Sequence, residues 1–432
     1  MKLAERDQQV VWHPLTQHQI ATSPIPIVRG KGAYLFDAQE RCYLDLISSW
    51  WVNLHGHAHP AIALAIYEQA QQLEQVIFSG FTHEPGVLLA ETLLNLLPSG
   101  FSKIFYSDNG STSVEVALKM AYQYWRNQGE SQRKRFIAFN GGYHGDTFGA
   151  MAVGKSSGYF DQFTDCLFAV DIAPYPVTWL GDIDIEQKEQ VALSWLITYL
   201  SQHADETAAL IIEPLVQGAC GMRMCRPQFL QALQQLARSY QLLIIYDEVM
   251  TGFGRTGELF ACQKAGTYPD IICLAKGLTG GFLPLAVTAC REKIYHAFLG
   301  DNIQSALVHS HSFTANPLGC AAGLASMALL QDQQTQAQIA MIEAVHRAEL
   351  SQLMVSVAVN KPRYCGTIAA FELANSVAYG SLDSQIWRTR FMEHGLLLRP
   401  LGSVIYLMPP YCISAEELRD AYGTIAKVIN KK

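Results

Sequence analysis

Three features of the chain combine residue types and positions that can do chemistry. The first is the turn Ser107-Asp-Asn-Gly-Ser-Thr-Ser113, set between the apolar run 103–106 and an amphipathic stretch. A turn rich in glycine and serine that opens a helix presents unpaired backbone N–H groups and the positive end of the helix dipole. That is a seat for a phosphate. The second is Asp247, which closes the run Leu242-Leu-Ile-Ile-Tyr-Asp247. A carboxylate ending a buried strand is costly unless a cation meets it, and a protonated pyridine nitrogen is such a cation. The third is Lys276, just past the run 271–274 and followed by Gly277, Gly280 and Gly281. Partial desolvation lowers a lysine's pKa and makes its amine a Schiff-base nucleophile. Taken singly, each has an ordinary explanation: a well-capped helix, a salt bridge, a surface turn. Together they are the parts that pyridoxal phosphate needs, namely a phosphate seat, a counter-charge for the ring nitrogen, and an amine that holds the cofactor and moves protons.

The elements that must position these residues are legible as alternation. Short apolar runs at 103–106, 136–139, 208–213, 242–247, 271–274 and 284–289 have the length of buried strands. Amphipathic stretches lie between them. In 113–126 the residues Val114, Ala117, Leu118, Ala121, Tyr122 and Trp125 share one helical face. This pattern predicts an α/β domain with a mostly parallel sheet over residues 50–325. The segment 326–432 reads differently, as a smaller α+β unit. It carries a long helix pattern over 334–354, apolar runs at 367–373, 395–399 and 404–408, and a capping box Ser414-Ala-Glu-Glu417 before a last helix. Residues 1–49 carry Pro-rich turns and a hairpin-like GKGAYLFDAQERCYLDL, expected to pack beside the C-terminal unit.

Composition bounds the rest. Of 432 residues, 50% are hydrophobic and 16% charged, which gives a globular chain with a large core. The net charge of −7 and the lack of a basic run point away from nucleic acid. No apolar stretch approaches the roughly 18 residues of a membrane span, and the N-terminus MKLAERDQQVVWHP lacks the apolar core of a signal peptide, so a cytoplasmic protein is expected. The ten cysteines are scattered without a CxxC pair and read as buried reduced thiols. Two motifs are set aside. Gly252-Phe-Gly-Arg-Thr-Gly257 matches GxGxxG, but Glu248-Val-Met-Thr251 separates it from its strand and no clear helix follows. His55-Gly-His57-Ala-His59 has no accompanying cluster of carboxylates or cysteines, so it reads as a loop with partly exposed histidines and no metal is expected.

IIEPLVQGACGM, LLIIYDEVMTGFGRTG and PDIICLAKGLTGG, in this order, resemble the class III, fold-type I, PLP-dependent aminotransferases, and the resemblance extends over nearly the whole chain. It implies a large PLP-binding domain with a mostly parallel sheet (50–325), a smaller α+β domain (326–432) joined by the N-terminal segment (1–49), and a homodimer with shared active sites. Finer segments resemble the branch that aminates 7-keto-8-aminopelargonate to 7,8-diaminopelargonate in biotin biosynthesis. These are Trp12-His-Pro-Leu-Thr16, Ser48-Ser-Trp-Trp51, Gly142-Tyr-His-Gly-Asp-Thr-Phe-Gly-Ala-Met151, Asn316-Pro-Leu, Arg399-Pro-Leu-Gly402 and Tyr406-Leu-Met-Pro-Pro-Tyr411.

The resemblance implies that Lys276 binds the cofactor covalently, Asp247 pairs with its pyridinium and Tyr143 stacks on its ring. Gly110 and Ser111 would hold the phosphate, with Ser312 and neighbouring His311 reaching it from the partner subunit. Trp50 would line the substrate pocket, Ser310 its edge, and Arg399 would bind the substrate carboxylate. Leu15 stands where the family has an aromatic residue. The loop His309-Ser-His-Ser-Phe313 resembles a branch some of whose members take lysine as amino donor, whereas SSWW resembles the branch that uses S-adenosylmethionine. The favoured donor is S-adenosylmethionine; lysine as donor, or an aminomutase on the same scaffold, are the alternatives.

Overall fold

The apolar runs in the middle of the chain form one seven-stranded sheet. The structure, a computed structural model, describes residues 2–375 and 381–431. In chain order the strands are β1 (Phe101–Ser107), β2 (Arg135–Phe139), β3 (Asp171–Ala173), β4 (Thr207–Ile212), β5 (Leu243–Asp247), β6 (Ile271–Leu274) and β7 (Ala286–Arg291). In space they run β1-β7-β6-β5-β4-β2-β3. The pairs β6–β5, β5–β4, β4–β2 and β2–β3 are parallel, and only β7 runs against its neighbours β6 and β1.

The runs are continuous rather than alternating because both faces of the sheet are covered. Ile211, Ile245 and Cys273 pack on one side with Val114, Ala117, Leu118, Ala121 and Trp125 of the helix Gly110–Asn127. Their neighbours Leu210, Ile244 and Ile272 pack into the larger cluster on the other side. Of the helical face read from the sequence, only Tyr122 stays partly outside, at 37% exposure. The last strand lies two residues later than the run 284–289, and the sheet gains a three-residue strand, β3, which opens on a charged Asp171 and has no apolar signature.

The C-terminal unit is a three-stranded antiparallel sheet, Val359–Cys365, Ile368–Leu373 and Val404–Leu407, flanked by the helices Gln333–Ser356, Leu382–Glu393 and Ala415–Asn430. Ser414 caps the last helix by accepting from Glu417 N, and Glu417 reciprocates. The N-terminal segment is a meander of Ile27–Lys31, Tyr34–Asp37 and Cys42–Asp45, and the short strand Leu396–Leu397 pairs in parallel with Cys42–Asp45. Gly254 and Gly257 of the set-aside GxGxxG match sit at φ +92° and +102°, where added Cβ atoms would meet Ile339 Cδ1 at 2.7 Å and Glu343 Oε2 at 3.1 Å. These glycines let the small unit come close.

The histidine loop is tighter than expected: His55 is buried against Ser326, and His57 bonds Asp45. All cysteines are free, but Cys42 and Cys166 are exposed rather than buried. No helix among the described residues is long and apolar enough to cross a membrane.

Candidate active site

Parallel strands place their C-terminal ends on one edge of the sheet, and ligands of such sheets bind outside that edge. Here the edge carries the turn after β1, the loop 140–147 after β2, Glu213 after β4, Asp247 ending β5 and Lys276 just past β6. The register pairs Asp247 with Cys273, which puts the carboxylate and the lysine on neighbouring strand ends.

Lys276 adopts φ 46°, a left-handed conformation that a non-glycine residue holds only under constraint. Its Nζ lies 4.5 Å from the ring centroid of Trp51. Among the described residues it has no hydrogen bond and no ion pair. The side chain keeps some solvent contact, yet it is set deeply enough that desolvation lowers its pKa to about 8, against the opposing charges of Asp247 and Glu213.

Asp247 is 5% exposed. Its Oδ2 lies 2.7 Å from His144 Nδ1, and its Oδ1 accepts from Val249 N at 3.1 Å. The other nitrogen of His144, Nε2, is buried with no partner. Beside it Glu213 accepts from Tyr143 N (3.0 Å) and Gly218 N (2.8 Å). Burial pushes the Glu213 carboxyl up to about 7; His144 opposes that rise and Asp247 adds to it.

The turn after β1 is a helix start with its cap in place. Asn109 accepts from Thr112 N at 3.0 Å, and Thr112 Oγ1 accepts from Asn109 N at 3.2 Å. As the first amides of the helix, Gly110 and Ser111 have no intrahelical acceptor. The walls are close. A Cβ on Gly110 would lie 2.5 Å from Val249 Cγ1, and one on Gly145, at φ +120°, 2.4 Å from Ser111 Cβ. Thr147 N donates to Ser111 Oγ at 2.9 Å and ties the two loops together. This donor set fits pyridoxal phosphate: an amine without a partner, a carboxylate held by an imidazole whose far nitrogen is orphaned, and open amides in a cradle that tolerates no extra carbon.

Tyr143 is half-buried. Its hydroxyl donates to Asp146 at 2.9 Å and its ring lies beside Phe160 at 5.7 Å. Trp50 is 42% exposed, with the guanidinium carbon of Arg399 4.2 Å from its ring centroid. The structure thus brings Lys276, Asp247, Gly110, Ser111 and Tyr143 to one edge, and Trp50 to Arg399. It does not bring Ser310, His311 and Ser312 to them within the chain. Ser310 and Ser312 are exposed, Gln75 Nε2 donates to Ser312 O at 2.8 Å, and His311 N donates to Thr314 Oγ1 at 3.3 Å.

Sequence reasoning missed His144, Glu213 and the part of Trp51. Glu213 had a usable signal, because it closes the apolar run 208–213 just as Asp247 closes the run 242–247. His144 and Trp51 lie in the motifs 142–151 and 48–51, but their contacts join distant parts of the chain and no local pattern shows them.

The comparisons were consistent with one another. The profile described as Aminotransferase class-III matches residues 16–429. The chain is 52% identical over 423 residues, 98% of each chain, to the adenosylmethionine-8-amino-7-oxononanoate aminotransferase of Synechococcus elongatus. It is 39% identical to the enzyme of that name from Geobacter sulfurreducens, covering 96% of this chain and 94% of the relative. The crystal structure of the aminotransferase of that name from Methanocaldococcus jannaschii superposes with a TM-score of 0.92 at 34% identity, covering 99% and 98% of the two chains. An omega transaminase from Pseudomonas jessenii in complex with PMP superposes with a TM-score of 0.91 at 27% identity, covering 100% and 97%.

Proposed function

Because the chain belongs to the class-III aminotransferase family, we propose that it transfers an amino group from S-adenosylmethionine to 8-amino-7-oxononanoate (7-keto-8-aminopelargonate), giving 7,8-diaminopelargonate for biotin biosynthesis. Pyridoxal phosphate is its cofactor. When bound, the cofactor supplies an aldehyde that links to amines and a protonated ring that accepts electrons from a substrate Cα. The observation that carries this reading is the partnerless Lys276 amine, lowered to about 8, on the same sheet edge as the Asp247–His144 pair.

The chain's own residues do the rest. The amides of Gly110 and Ser111 bind the phosphate. The Asp247 carboxylate holds the proton on the ring nitrogen, and His144, bonded to its Oδ2, keeps that carboxylate oriented. Lys276 Nζ, its pKa lowered to about 8 by burial, would take the proton from the donor's Cα in one half-reaction and deliver a proton to the acceptor's carbonyl carbon in the other. Trp51 covers one side of that amine. Tyr143 offers an aromatic face to the ring. Arg399 binds the substrate carboxylate as a fork, and Trp50 beside it offers ring surface to the sulfonium of the donor, an attraction worth about 0.5–2 kcal/mol.

This reading takes the chain as a homodimer in the cytoplasm, with His311, Ser312 and Ser310 of the partner subunit completing the site. In support, the loop 309–316 carries the exposed apolar Phe313 at 62% and is flanked by Val308 at 74% and, from the segment that touches it through Gln75, Ile77 at 62%. The pairing of Leu396–Leu397 with Cys42–Asp45 supports residues 1–49 as part of the small domain (326–432) beside the large one (50–325).

The test is direct. Purified protein with pyridoxal phosphate, S-adenosylmethionine and 8-amino-7-oxononanoate is assayed by mass spectrometry for the diamine. Wild type should form it, and Lys276→Ala should lose about 10²–10⁴-fold in rate. A Lys276→Ala variant that keeps full activity would overturn the reading.

A further inference from the structure

The two tryptophans of Ser48-Ser49-Trp50-Trp51 lie under two different cations. The Trp51 ring lies 4.5 Å from Lys276 Nζ, and the Trp50 ring 4.2 Å from the Arg399 guanidinium carbon. Adjacent residues in an ordinary helix or strand do not hold their rings this way, and this backbone is neither. Ser48, Ser49 and Trp51 have φ of 50°, 61° and 66°, all left-handed and none of them glycine. Ser49 pairs its φ with ψ −81°, well outside the helical region. Such a segment persists only when its surroundings over-determine it.

Those surroundings converge on one buried carboxylate. Asp45 is 0% exposed. Its Oδ1 accepts from Ile47 N at 3.1 Å, and its Oδ2 from Ser49 N at 2.7 Å and Ser49 Oγ at 3.3 Å. The remaining partner of Oδ2 is His57 Nε2 at 2.9 Å. The proton on that ring can be assigned. Gly56 N donates to Asn53 Oδ1 at 2.8 Å, which fixes the Asn53 amide, so its Nδ2 is the donor to His57 Nδ1 at 3.1 Å. His57 Nδ1 is therefore a lone pair, and Nε2–H donates to Asp45. The imidazole completes the carboxylate's shell through its Nε2–H. On the far side of the turn, Ser48 Oγ donates to Met408 O at 2.7 Å and Trp51 Nε1 to Tyr406 Oη at 3.0 Å.

We propose that Asp45 and His57 are positioning residues for the transamination. Through the strained turn they hold Trp51 over the reactive lysine and Trp50 over the carboxylate-binding arginine, so that one hydrogen-bonded dyad sets both ends of the substrate site. Their own side-chain hydrogen bonds go to the turn, to Asn53 and to each other, so they act through the turn. The proposal rests on the reading of Lys276 and Arg399 given above. If the turn relaxes, water reaches Lys276. Burial is the leading cause of its lowered pKa, so the amine should become harder to deprotonate.

The variants are Asp45→Ala, His57→Phe and His57→Gln, the last retaining a donor toward Asp45. The first readout is the pH dependence of Lys276 acylation in the full-length, cofactor-free chain, followed by peptide mass spectrometry. It needs no substrate, so it stands whatever the assignment of the reaction. The second is the split between KM for 8-amino-7-oxononanoate and kcat in the holoenzyme. Asp45→Ala and His57→Phe should move the labelling midpoint up by about one pH unit, a tenfold loss of free amine at fixed pH. They should also raise KM about tenfold, the effect of one lost carboxylate contact. His57→Gln should restore both. If Asp45→Ala does not fold, the His57 pair decides alone. Wild-type labelling and wild-type KM in His57→Phe would overturn the proposal. So would a His57→Gln variant that behaves like His57→Phe.

Discussion

Lys276, Asp247 and Glu213 show how much a single side chain's placement in the sheet can tell. Asp247 and Lys276 were legible because a charged residue ending an apolar run is chemically expensive. The same argument applied to Glu213 would have found it. What no local pattern carries is the company these residues keep. His144 approaches Asp247 from a loop after a different strand, and Trp51 reaches Lys276 from the N-terminal region. Glu213 also makes a pH prediction. Its carboxyl titrates near the ordinary 4.5 when unfolded and at about 7 when folded. Between these values the folded state binds the extra proton, so this group's contribution favours folding below pH 4.5 and is lost as pH rises to 7. Glu213→Gln should therefore flatten the decline in thermal stability between pH 4.5 and 7, as measured by denaturation midpoints in matched buffers. An unchanged pH profile would mean that the carboxyl is charged throughout.

The turn after β1 was recognisable as an element because capping residues and glycines occupy fixed offsets from a helical face, and that face is buried as read, apart from Tyr122. The strand β3 was not, because three residues opening on an aspartate carry no periodicity. The histidine loop was read correctly as partly exposed at His57 and His59 but not at the buried His55, for a related reason. Its polarity suggested exposure, while its hydrogen bonds to Asp45 and Ser326 are tertiary. The turn's own prediction is steric. Val249 Cγ1 stands 2.5 Å from where a Gly110 Cβ would be, and Val249 N also supports Asp247. Overpacking of this kind costs about 1–3 kcal/mol. Gly110→Ala should weaken pyridoxal phosphate binding by about tenfold or more, since 1.4 kcal/mol is one decade. Equilibrium dialysis of the cofactor-free chain would measure it, and wild-type affinity would show that the cradle is not the phosphate seat.

At the scale of the molecule, the alternation of strands and helices was enough to place a mostly parallel sheet, and with it the edge on which a ligand sits. It was not enough to show that Leu396–Leu397 pairs with Cys42–Asp45 or that Gly254 and Gly257 admit the small unit, because those contacts join segments far apart in sequence. The exposed apolar residues around the loop 309–316 carry a prediction about assembly. If the proposed dimer buries this loop, Phe313→Asp should shift the sedimenting species from dimer to monomer mass and lower activity in proportion. A monomeric wild type would contradict the shared site. Whether this sheet edge accepts the amino group of S-adenosylmethionine can be read from one spectrum. Protein carrying pyridoxal phosphate is mixed with S-adenosylmethionine, and separately with lysine, without the keto acid, while the visible band of the bound cofactor is followed. Loss of the band with S-adenosylmethionine alone is the predicted result. Loss with lysine alone, or with neither, would contradict it.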